Sequence, residues 1–479
     1  MLPWWRGRIV LGRTGPFPWQ RVRLNAQERA THLYIVGKTT MGKSKLLEHL
    51  LYQDIAHRRG AAIVDPHGDL AEDLVRYLVA RRFGRRQRDA ARLVYFDPAR
   101  EDYCLALNPL DVEPGTDPYE AAQEVVEVFR RIWPISLEEA PVFTDVMLNS
   151  LITLMANGLT LLEMPRLLTD SLFRASLLAR VTNPTVQEFF LQRFDRWGRE
   201  QALRIESTLN KVSALAASDR LRAILGQTKG SLRFRELLEE GKALIVNLGG
   251  VSEPTGRLLG SLVVVRLYQA ALARGADTPR EKRRPFYLYI DEFQQFVAQE
   301  GGVRTFSQLL SSCAKFGLHL VLAHQTQSQL EERMKGALGN VGTRVAFALD
   351  REDAEAMARK LFDVDVDEVK DEPHGAVQHP LYYGLQEQWE RHVQSLQNLP
   401  PRWAYVRKPL RPAVLMATFP VREQGAREEQ VEAVKVLSLR RYGRPTWQVR
   451  REIEGRYAQT GFGPGFAGLR RAVYDEPAD

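Results

Sequence analysis

Seven short hydrophobic runs recur along the chain and predict the strands of a buried, mainly parallel sheet. The runs are Leu33–Val36, Ala61–Val64, Leu93–Phe96, Ala243–Leu248, Phe286–Ile290, Leu318–Ala323 and Arg344–Leu349. Segments with helical spacing alternate with most of them. This alternation predicts an α/β fold with helices on both faces of the sheet.

The segment between the third and fourth runs has only helical spacing. Val125, Val126 and Phe129 follow an i, i+1, i+4 pattern, and Leu209 and Val212 continue such a pattern later in the segment. We therefore expect an all-helical insertion domain at residues 112–240. It divides the α/β core into an N-terminal part, 1–111, and a C-terminal part, 241–420. Residues 421–479 are expected to form a charged helical tail with a flexible, glycine-rich end at 461–468.

Composition favours an ordinary globular protein. Of 479 residues, 44% are hydrophobic and 26% are charged, which excludes collagen-like and disordered classes. Cys104 and Cys313 are too few for a disulfide framework and fit a reducing compartment. The most apolar stretch, Leu258–Ala273, is interrupted by Arg266, so we expect no membrane span and a cytoplasmic location.

The net charge of +8 is concentrated locally. Lysine and arginine cluster at 81–92, 280–284 and 440–451. Such clusters are either solvated faces or surfaces that contact phosphate, and charge alone does not decide between them.

One motif carries specific chemistry. Residues 37–44 read GKTTMGKS, which matches GxxxxGK[ST] and stands between a predicted strand and a predicted helix. This P-loop is expected to bind nucleotide phosphates through Gly37, Lys38, Thr39, Thr40, Met41, Gly42, Lys43 and Ser44. Lys43 would reach the β- and γ-phosphates of ATP, and the Ser44 hydroxyl would hold Mg²⁺.

Two adjacent carboxylates end a later strand, in the run FYLYIDE. In a P-loop ATPase, Asp291 would hold the Mg²⁺ through its water shell and Glu292 would act as general base. Without a P-loop, the same pair would more often be a solvated strand end or a helix cap. Gln325 follows another buried strand and is a candidate sensor of the γ-phosphate.

The segment Asp65-Pro66-His67-Gly68-Asp69 follows the second strand. His67 with Asp65 and Asp69 has the side chains of a metal site. One histidine and two carboxylates in a turn are usually structural, so we do not favour a metal site and expect a role of this segment near the nucleotide or a subunit boundary.

The order of these segments resembles the type IV secretion coupling-protein (TraG/TraD) branch of the HerA–FtsK superfamily, from Thr31 to about Val406. The segments that carry the resemblance are HLYIVGKTTMGKS, AAIVDPHGDL, LVYFDP, LALNPLD, ALIVNLGG, FYLYIDEFQQF, CAKFGLHLVLAHQ and NVGTRVAFAL, with the helical insertion after the fourth.

The resemblance implies a hexameric RecA-like ATPase that pumps DNA through a central pore. It implies that ATP lies between subunits, with Lys43 and Ser44 at the phosphates and Mg²⁺, Asp291 and Glu292 at the metal and the water, and Gln325 as sensor. The partners it implies are the DNA backbone and a relaxase, nuclease or secretion channel.

The sequence departs from the family in three respects. Thr40 replaces a usual glycine. Ala314 stands where the family often has an arginine that reaches the neighbouring subunit's γ-phosphate. Either Arg344, Lys315 or Arg351 replaces it, or hydrolysis is slow without a partner; we favour Arg344. The N-terminal membrane helices of the family are not found, which favours a soluble relative that is either anchored to the membrane by another protein or works in the cytoplasm as HerA does.

The expected function is therefore an ATP-driven translocase of double- or single-stranded DNA in conjugation or mobile-element transfer. The alternatives are an ATPase that energises protein secretion and a HerA-like DNA-processing motor with a nuclease partner. A nucleotide-gated scaffold with little turnover is the alternative from another class.

Overall fold

The structure, a computed structural model, forms two compact units. The first unit, here called the sheet unit, comprises the described residues of Met1–Tyr95 and Phe234–Lys435, and the second, the helical unit, those of Phe96–Arg233 and Val436–Asp479. The residues that the structure describes are 8–15, 19–83, 87–133, 135–136, 138–297, 309–327, 330–371, 381–421 and 425–459. The predicted glycine-rich end, 461–468, lies outside them.

An eleven-stranded sheet forms the centre of the sheet unit, in the order β2-β1-β14-β13-β10-β3-β9-β8-β4-β7-β5. Two further pairs, β11 with β12 and β6 with β15, form separate small sheets. The strands are β1 Ile9–Thr14, β2 Gln20–Leu24, β3 Leu33–Val36, β4 Gly60–Asp65, β5 Leu93–Phe96, β6 Tyr103–Cys104, β7 Ala243–Asn247, β8 Phe286–Ile290, β9 Leu318–His324, β10 Thr343–Ala346, β11 Val369–Asp371, β12 Leu381–Tyr382, β13 Trp403–Arg407, β14 Val414–Thr418 and β15 Arg444–Pro445.

The middle of the large sheet is parallel. The six neighbouring strands from β10 to β7 pair in parallel, whereas β13, β14, β1 and β2 continue the sheet in antiparallel pairs. All seven predicted strands are present, and the expected α/β fold with a mainly parallel sheet is confirmed. The carboxyl ends of β3, β4, β8 and β9 open on one edge of the sheet, where ligands bind in such folds.

Helices cover the sheet of the first unit. They are α1 Ala26–Ala30, α2 Lys43–Ala56, α3 Asp69–Ala80, α4 Gln87–Ala90, α12 Phe234–Glu240, α13 Glu253–Asp277, α14 Gln294–Val297, α15 Glu332–Ala337, α16 Arg351–Leu361 and α17 Leu385–Gln397. Leu47 and Leu50 of α2 and Leu74 of α3 are fully buried in one hydrophobic cluster with Ile63 of the sheet. This packing fixes α2, and thus the loop before it, against the sheet.

Among the described residues, α13 alone is long and apolar enough to cross a membrane. However, 83% of its most apolar window is buried within the protein, which is typical of a core helix.

The helical unit contains the segment predicted to be helical. Its helices are α5 Pro118–Ile132, α6 Ala140–Ala156, α7 Met164–Thr169, α8 Ser171–Leu178, α9 Pro184–Glu188, α10 Gln201–Ala217, α11 Asp219–Leu225 and α19 Thr446–Gln459, while α18, Glu428–Tyr442, spans the division between the units. The C-terminal α19 belongs to this unit, and the Tyr457 hydroxyl donates to the Leu162 carbonyl (3.0 Å). The predicted domain limits stay predictions.

Candidate nucleotide site

The P-loop joins β3 to α2 and is held by the neighbouring strands. The Gly37 N–H donates to the His324 carbonyl (3.3 Å), and the Lys38 N–H donates to the Ala348 carbonyl (2.9 Å). Gly42, at φ 108°, precedes α2, and no side chain caps this helix. The first-turn N–H groups are therefore available to an anion, which is the arrangement that binds phosphate.

Two loop positions show why residue type matters there. A Cβ atom on Gly37 would lie 2.5 Å from Cβ of Phe347, so a side chain does not fit. Thr40 has φ 66°, a left-handed conformation that a glycine would adopt without strain. The replacement of the family's usual glycine by Thr40 therefore costs about 1 kcal/mol or more of backbone strain.

Lys43 and Glu292 form a buried ion pair at this edge. Lys43 Nζ donates to Oε1 of Glu292 at 2.8 Å, and the two side chains are 6% and 5% exposed. Burial opposes ionisation of Glu292, but the Lys43 charge and hydrogen bonds from Lys43, Gln294 and Gln325 hold its pKa below the ordinary value. Glu292 is thus an ionised, hydrogen-bonded carboxylate beside the P-loop.

The backbone of Glu292 is unusual for a non-glycine residue. Its φ of 45° lies in the left-handed region. Its N–H donates to Oδ1 of Asp291 (3.1 Å), and Nε2 of Gln294 donates to its Oε2 (2.9 Å). Strain of this kind persists where surrounding contacts fix a residue for a function.

Asp291 lies next to Glu292 and has a different electrostatic environment. Burial raises the pKa of Asp291 to about 6, with further contributions from the negative charges of Glu292 and Asp65, while Lys43 opposes them. Its N–H donates to the Val64 carbonyl (3.2 Å), which holds it at the end of β8 beside β4. A second positive charge nearby would stabilise the ionised form, as expected at a cation site.

The structure brings Gln325 close to Glu292, where its side chain helps to lower the pKa of that carboxyl. The loop that carries Gln325 is fixed by Asp353 on α16. Both carboxylate oxygens of Asp353 accept from the Gln327 N–H, at 3.0 and 2.8 Å, and Asp353 is 2% exposed. Sequence reasoning missed Asp353, because a charged residue in the first turn of a helix ordinarily faces solvent.

His324 is a second residue that sequence reasoning did not assign. It is fully buried, its ring lies 5.4 Å from that of Phe293, and neither ring nitrogen has a hydrogen-bond partner among the described residues. Burial lowers its pKa to about 4, although the nearby Glu292 opposes this. His324 is therefore a neutral imidazole beside the acidic pair.

Arg344 is not brought into this cluster. It lies on β10 and donates from Nη2 to the carbonyls of Leu338 (3.3 Å) and Gly339 (3.0 Å). Ala314 lies in a short 3₁₀ turn, Cys313–Phe316. The role of Arg344 as an arginine that acts on a neighbouring subunit stays a prediction.

The segment after β4 forms a structural turn. The carboxylate of Asp65 accepts from the N–H groups of His67 (3.1 Å) and Ala71 (2.8 Å).

The described residues contain no group of three or more His, Cys, Asp or Glu side chains that would hold a metal on its own. A Mg²⁺ ion at the P-loop would therefore be bound together with nucleotide phosphates. Mg²⁺ prefers one or two carboxylates combined with phosphate oxygens. The exposed Ser44 and the buried Asp291 supply suitable oxygens.

The strand, P-loop and helix, followed by an acidic strand at the same sheet edge, define the fold of the RecA-like P-loop ATPases. The comparisons confirm the resemblance to the coupling-protein branch. Residues 285–399, less than half of the chain, match the family described as the TraM recognition site of TraD and TraG.

Solved structures share this fold. The plasmid coupling protein TrwB in complex with the non-hydrolysable GTP analogue GDPNP is 20% identical, with a TM-score of 0.59, over 85% of this chain and 90% of that chain. TrwB in complex with ADP and Mg²⁺ is 18% identical, with the same TM-score and coverage. VirB4 of Thermoanaerobacter pseudethanolicus is 13% identical, with a TM-score of 0.53, over 86% and 96% of the two chains. No curated protein matches the chain.

Proposed function

We propose that this chain is an ATP-hydrolysing DNA translocase of the conjugative coupling-protein type. The observation that carries the proposal is the buried contact between Lys43 of the P-loop and Glu292 of the acidic strand. The contact supports a site in which Lys43 would bind phosphate, Glu292 would act as the base and the adjacent Asp291 would bind a cation. The similarity to TrwB, which has been solved with GDPNP and with ADP and Mg²⁺, supports the choice of ligands.

Lys43 and the N-terminal N–H groups of α2 bind the β- and γ-phosphates of ATP. Ser44 and Asp291 would hold Mg²⁺, which would supply positive charge to the phosphate oxygens. Because phosphate attracts Lys43, nucleotide binding weakens the hold of Lys43 on Glu292. The freed carboxylate then orients the attacking water and accepts its proton.

Gln325 reports the state of the site. Its amide lies near Glu292, so a change of charge at Glu292 alters the interactions of Gln325 and of the loop fixed by Asp353. The same loop is hydrogen-bonded to Asp353 of α16, which gives hydrolysis a route into the rest of the subunit.

The cargo is DNA, bound through its phosphate backbone without sequence readout. The net charge of +8 supports a polyanionic partner, and the match to the TraM recognition site of TraD and TraG supports a setting in conjugation. We propose a homohexamer in the cytoplasm, recruited to the membrane by a relaxase- or channel-associated partner, with Arg344 acting on the neighbouring subunit's nucleotide.

The test is ATP turnover by the purified chain during titration with linear duplex DNA at two salt concentrations. The proposal predicts stimulation of about tenfold that weakens as salt rises, because counterion release drives phosphate contacts. A Lys43→Ala variant is the control and should show neither binding nor turnover. Turnover indifferent to DNA at both salt concentrations would contradict DNA as cargo and favour the protein-secretion motor, whereas ATP binding without turnover would favour the scaffold.

A further inference from the structure

Arg402 is held against the P-loop in a conformation that arginine rarely adopts. Its φ is 70°, in the left-handed region where glycine is preferred. Its N–H donates to the Met41 carbonyl at 2.8 Å, and its Cα and Cγ lie 3.4 Å from where a Cβ on Gly42 would be. The strained residue therefore contacts the two positions that precede Lys43.

The sheet topology places Arg402 at the ligand-binding edge. β14 runs antiparallel to β13, and β13 runs antiparallel to β10, which is parallel to β3. Arg402 comes directly before β13, so it lies at the same edge as the P-loop. The Arg402 carbonyl accepts from the N–H (2.8 Å) and the hydroxyl (3.2 Å) of Thr418, which fixes this backbone at the end of β14.

The guanidinium of Arg402 remains available. Nη2 donates to the Thr418 carbonyl (3.2 Å), and no carboxylate among the described residues pairs with the group. The residue is exposed, so the remaining donors face solvent beside the loop. A guanidinium offers five N–H donors in a fixed fork that suits phosphate oxygens.

We propose that Arg402 is a nucleotide-binding residue whose guanidinium contacts the phosphate chain held by the P-loop of its own subunit. The inference rests on the proposed nucleotide binding and adds a cation that acts in cis, separate from any arginine supplied by a neighbour. It also explains why the position carries a side chain, since glycine would relax the backbone but would lack the charge.

The left-handed backbone allows a sharp test. Arg402→Gly removes the guanidinium while it keeps the N–H bond to Met41 and relieves strain, and Arg402→Asn does the same with a side chain that tolerates positive φ. We expect both variants to bind Mg²⁺-ADP and a non-hydrolysable ATP analogue about tenfold more weakly, measured by calorimetry without DNA, because a charge-assisted hydrogen bond is lost. Arg402→Lys should recover part of the affinity.

A matched control makes the same change elsewhere. Arg82 is also an exposed arginine at positive φ, 64°, so Arg82→Gly removes the same charge from the same backbone conformation away from the P-loop. We expect its nucleotide affinity to equal that of the wild type. Thermal unfolding without nucleotide should show Arg402→Gly at least as stable as the wild type.

The outcomes separate this inference from the proposed function. If the wild type binds nucleotide, Lys43→Ala abolishes binding and Arg402→Gly binds like the wild type, the role of Arg402 is wrong and the nucleotide site stands. If the wild type itself binds no nucleotide, the proposed function fails first, and the role of Arg402 fails with it.

Discussion

Lys43 Nζ and Glu292 Oε1 lie 2.8 Å apart in a site where both side chains are almost fully buried. This contact joins the P-loop to the acidic strand, although the two residues are 249 positions apart. Charges at such a depth are stable only while they are paired. Any ligand that attracts Lys43 therefore changes the environment of Glu292.

The first prediction concerns this pair in the protein without nucleotide. Lys43→Met leaves the Glu292 carboxylate buried without its cation, and we expect a loss of about 3 kcal/mol in the free energy of unfolding. Lys43→Met with Glu292→Gln removes both charges and should recover most of that loss. Denaturant unfolding of both single variants and the double variant measures the coupling. If the losses of the two single variants add up in the double variant, the contact between Lys43 and Glu292 contributes nothing to the free energy of unfolding.

A second prediction concerns the buried network behind the site. Asp54 is fully buried and accepts from Arg29 (2.7 and 2.6 Å), Arg59 (2.7 Å) and Tyr289 (2.6 Å). Burial opposes its ionisation, but the arginines hold its pKa below the ordinary value. Asp54→Asn leaves two buried cations without their partner, so we expect a loss of about 4 kcal/mol of stability at neutral pH.

The control for Asp54 is an exposed ion pair. Glu390 pairs with Arg351 (2.9 Å), and both side chains are substantially exposed. Glu390→Gln should reduce the free energy of unfolding far less than Asp54→Asn does, because solvent screens an exposed ion pair. Denaturant unfolding measures both variants. Equal losses of unfolding free energy in Asp54→Asn and Glu390→Gln would show that burial does not increase the contribution of the Asp54 network to stability.

The third prediction concerns the loop that carries Gln325. Asp353→Ala removes the acceptor for the Gln327 N–H, so the loop should lose its fixed position. We expect kcat for ATP to fall about tenfold while KM stays within about twofold, because the P-loop contacts do not change. Asp353→Asn keeps one oxygen acceptor and should recover part of kcat. A change confined to KM would contradict a positioning role.

The fourth prediction is a pH dependence of stability. Burial lowers the pKa of His319 to about 3, with Arg29 and Arg274 among the cations that add to the effect. The unfolded chain, with a pKa near 6.5, therefore binds more protons than the folded protein below that pH. The free energy of unfolding should fall as pH decreases from about 6.5 toward 3.

His319→Gln removes this titration. We expect the variant to lose part of the acid-induced decrease in unfolding free energy, with the remainder due to other buried groups such as His324. The exposed His57 supplies the control through His57→Gln. An unchanged slope between pH 6.5 and about 4 in His319→Gln would contradict the assignment.

The sequence was sufficient for the parallel sheet because each central strand is buried on both faces and is thus continuously hydrophobic. Leu33–Val36 and Phe286–Ile290 coincide with β3 and β8. The antiparallel extension by β13, β14, β1 and β2 was not predicted. These strands are partly exposed, and β13 alternates buried and half-buried positions in only five residues.

The proximity of Lys43, Asp291 and Glu292 was predictable because a motif fixes their types and a strand fixes their position. Asp353 and Arg402 were not predictable, since each acts through a contact between segments far apart in the chain. Asp353 on α16 accepts a hydrogen bond from Gln327 in the loop after β9. Arg402, just before β13, donates to Met41 in the P-loop. Local spacing carries no signal for such contacts.

The measurement that tests the central claim most directly is single-turnover hydrolysis of ATP by the wild type and by Glu292→Gln, with nucleotide affinity measured on the same preparations. The account predicts that Glu292→Gln still binds ATP and hydrolyses it at least about a hundredfold more slowly, because a general base is lost while Lys43 remains. Hydrolysis at the wild-type rate by Glu292→Gln would contradict the assignment of Glu292 and, with it, the proposed mechanism.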